Sequence, residues 1–241
     1  VAGPDARTRD FRVLGYNVRS LRDDPVAVAR VVRAAAPDVV CLQEAPRFLG
    51  WRWRRARLAR RCGLGLVPGA RAGGLALLVR HAYTVRHVEH HLLSPDPGLH
   101  RRALALAVLD GPPGRLVAAC THLDLRAEPR LRHVHEVLAR LAAARRRYRA
   151  PVVLAADVNE PPGGPAWSVL AGALTDTAAC VPGAAGPTFP SAAPRARIDA
   201  VFADPRLAVR AAGVPDGPAL AADYPSASDH RPVMAVLAAP G

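Results

Sequence analysis

The sequence contains no lysine: all 33 of its basic residues are arginine. A phosphate-binding loop of the GxxxxGK[ST] type is therefore excluded, because its lysine reaches the terminal phosphates. Neither a GxGxxG dinucleotide turn nor a GxSxG nucleophile elbow occurs. Cysteine is scarce. Cys41, Cys62, Cys120 and Cys180 show no CxxC or other zinc spacing. Cys41 and Cys120 sit in the apolar runs VVCL and LVAACTHL and read as free buried thiols. A Cys62–Cys180 disulfide is an alternative open only to an exported protein and is not the expectation. No window of 18 uncharged apolar residues is present, so no membrane-spanning helix is expected. The first residues, from Val1, show no charged-then-apolar leader pattern.

What remains is ample for a core. The chain has 241 residues, half of them apolar, and a mean hydropathy of +0.06. That length suits one α/β domain, expected over residues 1–241 with an ordered core from about 11 to 237. Ala, Arg, Gly and Pro are used heavily, as in a gene of biased base composition. The net charge of +13 would attract polyanions, either nucleic acid or anionic headgroups. The arginine runs WRWRRARLARR (51–61) and RRRYR (145–149) have helical character, and such runs also serve as solvated faces.

Apolar runs at 11–16, 38–42, 74–79, 103–109, 115–121, 151–156, 197–203 and 232–237 predict strands. HVEHH (87–91) reads as a surface strand, with a spacing that fits neither HExxH nor a zinc pattern. The run 103–109 pairs with 115–121 across DGPPG as a hairpin. Helices are predicted after Asp24, with Pro25 at the first position and Pro37 beyond the end, over 128–148, and over 165–172. Such mixing of strands and helices indicates an α/β or α+β sandwich rather than a purely parallel sheet.

Polar residues recur where these strands end. FRVLGYNVRS closes on Asn17, PDVVCLQEAP on Gln43 and Glu44, and LVAACTHLDL on His122 with Asp124 close by. PVVLAADVNEPP closes on Asp157 and Asn159, ARIDAVF carries Asp199, and SDHRPV places Ser228, Asp229 and His230 before the last strand. Any one of these is an ordinary turn or strand-end residue. Six at strand ends point to a site assembled on a rigid sheet. Glu, Asp and Asn oxygens suit a hard cation such as Mg²⁺ or Mn²⁺, and histidine moves protons near neutrality. A phosphoester cleaved by water needs those parts.

The ordered series YNVR, LQE, THL, ADVN, RID and SDHRPV resembles the endonuclease/exonuclease/phosphatase superfamily, of deoxyribonuclease-I-like fold. The resemblance implies a four-layer α/β/β/α sandwich, with two packed mixed β-sheets flanked by helices and a site at one edge of both sheets. It implies Glu44 as principal metal ligand, with Asn17 beside it and Asp229 as a second metal-site carboxylate. Asp157 would orient or deprotonate the attacking water. Asn159 would hold a phosphate oxygen or Asp157. His122 would stabilise the transition state or protonate the leaving oxygen, and His230 would bind phosphate or act as general base. Asp199 would orient one of the two histidines. Arg102, or its neighbour Arg101, would contact phosphate, and Arg80 stands where members keep a strand-end polar residue. The usual Gly-Asp-Phe-Asn is here Ala156-Asp157-Val158-Asn159. The expected activity is a Mg²⁺- or Mn²⁺-dependent phosphodiesterase or nuclease, monomeric, acting on a phosphodiester with nucleic acid among the candidates. The alternatives are a phosphatase or phospholipase, and a non-catalytic polyanion-binding module. Trp51 and Trp53, interleaved with arginines, suit either base stacking or burial in a helix.

Overall fold

The computed structural model describes residues 10–239; the outermost residues of the expected domain, 1–9 and 240–241, lie outside the described residues. The chain runs β1 (Asp10–Asn17), α1 (Pro25–Ala35), β2 (Val39–Gln43), α2 (Trp51–Cys62), β3 (Gly65–Leu66), β4 (Ala76–Val79), β5 (Thr84–Leu92), β6 (Ala103–Gly111) and β7 (Gly114–His122). It continues through α3 (Ala127–Tyr148), β8 (Val152–Asp157), α4 (Pro165–Ala173), β9 (Thr175–Asp176), β10 (Asp199–Ala203), β11 (Ala208–Gly213), α5 (Pro218–Ala227) and β12 (Val233–Ala238).

The strands form two mixed six-stranded sheets, in the orders β11-β12-β1-β2-β4-β3 and β5-β6-β7-β8-β10-β9. Within each sheet one central pair is parallel, β1 with β2 and β7 with β8. Strands β2 and β8 are buried at every position, so they read as unbroken apolar runs rather than as alternation. Between the sheets lies a core of small and β-branched side chains, among them Val13, Cys41, Ala105, Ala118, Ala155 and Val201. Small residues let the sheets approach closely. A methyl group added at Gly15 would stand 3.0 Å from the Ala155 Cβ. Helices α1, α2 and α5 cover the outer face of the first sheet, and α3 and α4 cover that of the second. The result is the four-layer α/β/β/α sandwich.

Local chemistry sets the helix ends. The Asp24 carboxylate accepts from Val26 N at 2.7 Å and Pro25 occupies the first turn, so α1 begins where its cap predicts. In α3 the buried Val134, Val137 and Leu141 form the inward stripe, while Arg140 is exposed. All four cysteines are free: Cys41, Cys62 and Cys120 are buried and Cys180 is exposed, so the Cys62–Cys180 bridge is not formed. No described helix is long and apolar enough to cross a membrane.

Topology brings the strand-end residues together. Strands β1, β2, β7 and β8 all end at one edge of the sandwich, carrying Asn17, Gln43 next to Glu44, His122 and Asp157. Strand β10 runs antiparallel to β8 and pairs Asp199 with Asp157. Strand β12 runs antiparallel to β1 and starts just after Asp229 and His230.

Candidate active site

Asp157 stands at the centre of the polar network. It is buried at the end of β8, and its Oδ2 accepts from Asn17 Nδ2 at 2.8 Å. The same oxygen lies 3.4 Å from His122 Nε2 and 3.9 Å from His230 Nε2. Its Oδ1 accepts from the backbone N–H of Asn159 at 3.1 Å, an Asx turn that folds the chain back over the strand end. The Asn17 amide nitrogen also lies 3.3 Å from Glu44 Oε1, so one amide bridges two carboxylates contributed by different sheets. Beneath them the buried Gln43 Nε2 reaches Ala155 O at 3.3 Å and ties the two sheet edges together.

Two segments hold unusual backbone for this purpose. Glu44 has φ +48° and Asn159 φ +54°, left-handed values that non-glycine residues adopt at a cost. The Glu44 segment is fixed on both sides. Its carbonyl accepts from Ser20 N at 2.8 Å, and Ala45 N donates to Gly74 O at 2.7 Å. Buried Arg55 then clamps the loop, donating to Pro46 O, Ala70 O and Leu75 O at 2.8 to 2.9 Å. Asn159 is fixed through its side chain, whose Nδ2 lies 3.0 Å from both Leu123 O and His122 Nε2.

The second clamp is an ion pair. Arg130, on α3, meets Glu160 Oε1 at 2.9 Å, with both side chains nearly buried. Its other nitrogen donates to Asp124 O, Leu125 O and Asn159 O. Glu160 Oε2 accepts from Trp167 N at the start of α4. This pair locks the His122 loop to the Asp157–Asn159 loop. Arg130→Met strands a buried carboxylate and is expected to cost about 3–5 kcal/mol. Joining it to Glu160→Leu is expected to restore part of that loss. Urea unfolding of the three proteins measures both, and an equal loss in single and double variants would show that the charge pair is not what matters.

The two histidines sit in opposite electrostatic settings. Burial pushes His122 down to about 4, aided by Arg102 and His230, against the pull of Asp157. It is a neutral imidazole at pH 7. Burial also opposes the charge on His230, but Asp199, whose Oδ2 lies 2.9 Å from its Nδ1, outweighs it together with Asp157 and Asp229. His230 is raised to about 9 and is an imidazolium at pH 7. Burial raises the Asp157 carboxyl from its ordinary value, opposed by His122, His230 and the Asn17 hydrogen bond. Titratable groups whose surroundings drive them apart in this way mark acid–base chemistry.

A cleft of about 360 Å³ opens over this network. Glu44, Arg102, His122, Asp157, Asn159 and His230 line it. Asn17 and Asp199 lie beneath, holding Asp157 and His230 respectively. Asp199 is therefore paired with His230 rather than with His122, a choice the sequence left open. Arg102 lines the cleft, with its Nε 3.4 Å from Asp124 Oδ2, while its neighbour Arg101 is exposed and does not line it. Asp229 is turned aside, its carboxylate ion-paired with Arg19 at 3.3 Å. Its neighbour Ser228 is the structural link, donating to Asn17 O at 2.7 Å. Arg80 pairs with Asp38 at the far end of β2 and takes no part in the cleft. Sequence reasoning missed Arg55, Arg130 and Glu160, and also Phe48 and His100 on the rim. Among 33 arginines, nothing in the sequence distinguishes the buried ones.

Asp157, Asp199 and His230 each offer an atom within 4.8 Å of the others, a group able to hold a cation. Glu44 and Asp157 offer a second arrangement of hard oxygen donors around Asn17.

No curated protein matches the sequence. Among solved structures, an endonuclease/exonuclease/phosphatase from Beutenbergia cavernae DSM 12333 is 30% identical, with a TM-score of 0.73, covering 97% of this chain and 72% of that one. The mannosyl-6-phosphatase Bt3783 of Bacteroides thetaiotaomicron VPI-5482 superposes with a TM-score of 0.78 at 18% identity, over 94% of this chain and 99% of that one. The human Nocturnin catalytic domain with bound sulfate does so with a TM-score of 0.72 at 17% identity, over 98% and 95%. The family model described as Endonuclease/Exonuclease/phosphatase family matches residues 14–230. With strand-end carboxylates, amides and histidines meeting in one cleft along that span, the chain belongs to the endonuclease/exonuclease/phosphatase family, whose members are phosphoesterases.

Proposed function

We propose that the chain is a phosphodiesterase of the nuclease type that requires Mg²⁺ or Mn²⁺ and uses water as nucleophile. The observation that carries this reading is the position of Asp157. A single buried carboxylate touches the amide beside Glu44, the neutral His122 and the charged His230.

The donors fit a hard divalent cation. Glu44 and Asp157 converge on Asn17 from the two sheets, both by carboxylate oxygen, and Glu44 faces the cleft. The Asp157–Asp199–His230 group fits less well, because Asp199 Oδ2 is already engaged with His230 Nδ1 at 2.9 Å. We therefore assign Glu44 as the principal ligand with Asn17 beside it, and Asp229 as an outer carboxylate that Arg19 neutralises. When bound, the cation supplies charge neutralisation to the non-bridging phosphate oxygens.

The protein's own groups do the rest. Asp157, its affinity for a proton raised by burial, orients the attacking water and accepts its proton. His230, charged at neutral pH, suits binding the phosphate rather than acting as a base. His122, neutral and held by Asn159, suits a hydrogen-bonding role at the transition state rather than proton donation from an imidazolium. Arg102 adds a further positive charge on the wall. The net charge of +13 draws polyanionic phosphodiesters, nucleic acid or phospholipid headgroups, toward the cleft.

A panel of plasmid DNA, single-stranded DNA, RNA, an abasic duplex, sphingomyelin and inositol phosphates, with Mg²⁺ or Mn²⁺, tests the reading. Hydrolysis that EDTA abolishes supports it; turnover unaffected by EDTA sinks the cation requirement. Glu44→Gln is expected to lower Mn²⁺ affinity by at least about tenfold by calorimetry, and Asp229→Asn by less. The reverse order would move the cation site to Asp229.

A further inference from the structure

Large apolar side chains are seldom exposed among the described residues, and most of those that are gather at one place. Six are exposed among the described residues, and four of them belong to the cleft rim or to α2 beside it. Phe48 is 68% exposed, Leu49 wholly exposed, Trp53 58% and Leu125 74%. Phe48 and Leu125 line the catalytic cleft itself. Leu49 sits within a turn in which Trp51 N donates to Phe48 O at 3.0 Å and Gly50 takes φ +72° ahead of the helix.

The same surface is basic. Helix α2 (WRWRRARLARRC) has no acidic residue. Arg52, Arg57 and Arg60 are exposed, while Arg55 is buried in the loop clamp. Arg57 stacks 5.0 Å from the Trp53 ring, and Arg47 5.4 Å from the Phe48 ring. A groove of about 220 Å³ runs between Trp53, Arg57, Arg61 and Leu21. It adjoins the catalytic cleft through Arg54, which donates to the carbonyl of Ser20, a cleft residue.

We propose that this rim is an interfacial anchor that seats the mouth of the active site on an anionic phospholipid bilayer. Aliphatic and aromatic tips enter the headgroup–acyl boundary, and the surrounding arginines pair with lipid phosphates. A single-stranded nucleic acid would use the aromatic rings and arginines. It would gain nothing from Leu49 and Leu125, which have no face for a base to stack on. Exposed aliphatic groups standing beside cationic ones fit a bilayer better than they fit a polynucleotide. The inference goes beyond the hydrolytic reading, since binding needs no catalysis; it places a phospholipid headgroup within reach of the cleft.

Co-sedimentation with phosphatidylcholine vesicles, with and without phosphatidylserine and in the presence of a chelator, tests it. Partition is expected to rise with phosphatidylserine. Leu49→Asp, at a fully exposed position that folding does not depend on, is expected to reduce it about tenfold. Arg52→Ala/Arg57→Ala is expected to reduce it by a similar factor or more. Arg86→Ala/Arg115→Ala removes the same charge from the opposite end of the second sheet, where both arginines pair with Asp110, and is expected to leave partition unchanged. Equal loss in the two arginine pairs, or wild-type partition in Leu49→Asp, would overturn the proposal in favour of diffuse attraction. Binding of duplex DNA but not of vesicles at the same salt would overturn it in favour of nucleic acid. Asp157→Asn is expected to bind vesicles like the wild type. Its hydrolysis of soluble bis(4-nitrophenyl) phosphate reports on the chemistry alone, so the two readings fail separately.

Discussion

Asp157→Asn is expected to lower kcat on a generic phosphodiester by about 10³- to 10⁴-fold while changing stability by no more than about 1 kcal/mol. The activity term follows from geometry. Asp157 is the single group touching Asn17, His122 and His230, and an amide at that point can orient water but cannot take its proton. The stability term follows from opposing effects. Burial works against the Asp157 charge, and the isosteric amide removes that penalty. Against this, Asp157 accepts two hydrogen bonds, from Asn17 Nδ2 and from Asn159 N, on different oxygens. Asparagine has one carbonyl oxygen and loses one of them, at about 0.5–1.5 kcal/mol. Asp157→Ala is the contrasting case: both donors are left without an acceptor in a buried site, and the cost is expected to reach about 2–4 kcal/mol. Turnover and urea unfolding of the two variants separate a catalytic role from a structural one. Turnover near the wild-type rate in Asp157→Asn would remove Asp157 from the chemistry.

The position of Asp157 was legible in the sequence because the candidate site is built from the ends of central strands. Those strands are buried on both faces and announce themselves as apolar runs, as β8 does in VVLAAD. The eight runs read as strands correspond to β1, β2, β4, β6, β7, β8, β10 and β12. Those not among them, β3, β5, β9 and β11, are the four sheet edges. An edge strand pairs on one side only and carries polar residues, as β5 does with Arg86, His87 and Glu89, so its pattern fades into that of a loop. Even so, the histidine run of β5 read as a surface strand. Helix α5 was hidden for a related reason: PALAADYPSA contains an internal proline and no clear stripe. Side-chain pairing was the least legible level. That Asp199 serves His230 depends on the antiparallel register of β10 with β8, which places Asp199 beside Asp157 at the cleft. That Asp229 turns to Arg19 depends on the conformation of the turn after β1, where Arg19 has φ +43°. Trp53 read equally well as a buried helix residue, and the structure leaves it mostly exposed while Trp51 is half-buried.

Asp199→Asn is expected to uncouple His230 from its charge. In the wild type, burial works against the imidazolium and Asp199 overcomes it, holding the group up at about 9. With an amide at position 199 the His230 value is expected to fall to or below the ordinary 6.5, and phosphodiester turnover at pH 7 by about 10²- to 10⁴-fold. Stability supplies an independent readout. Because the folded value lies above the unfolded one, His230 stabilises the protein fully below about pH 6.5, and that contribution is lost as pH rises toward 9. The span between the two values corresponds to about 3 kcal/mol. His122 works in the other sense. Its folded value, about 4, lies below the unfolded one, so stability is lost as pH falls from about 6.5 to 4. For these two groups the wild-type protein, measured in chelator, should therefore be most stable near pH 6.5. Asp199→Asn should lose about 3 kcal/mol at pH 6, lose little at pH 9 and keep the acid limb that His122 sets. The His230 ring titration by NMR and urea unfolding across pH measure the two halves. A destabilisation that is the same at pH 6 and pH 9 would mean that Asp199 supports the fold without holding a proton on His230, and the phosphate-binding cation would have to be sought in Arg102 instead.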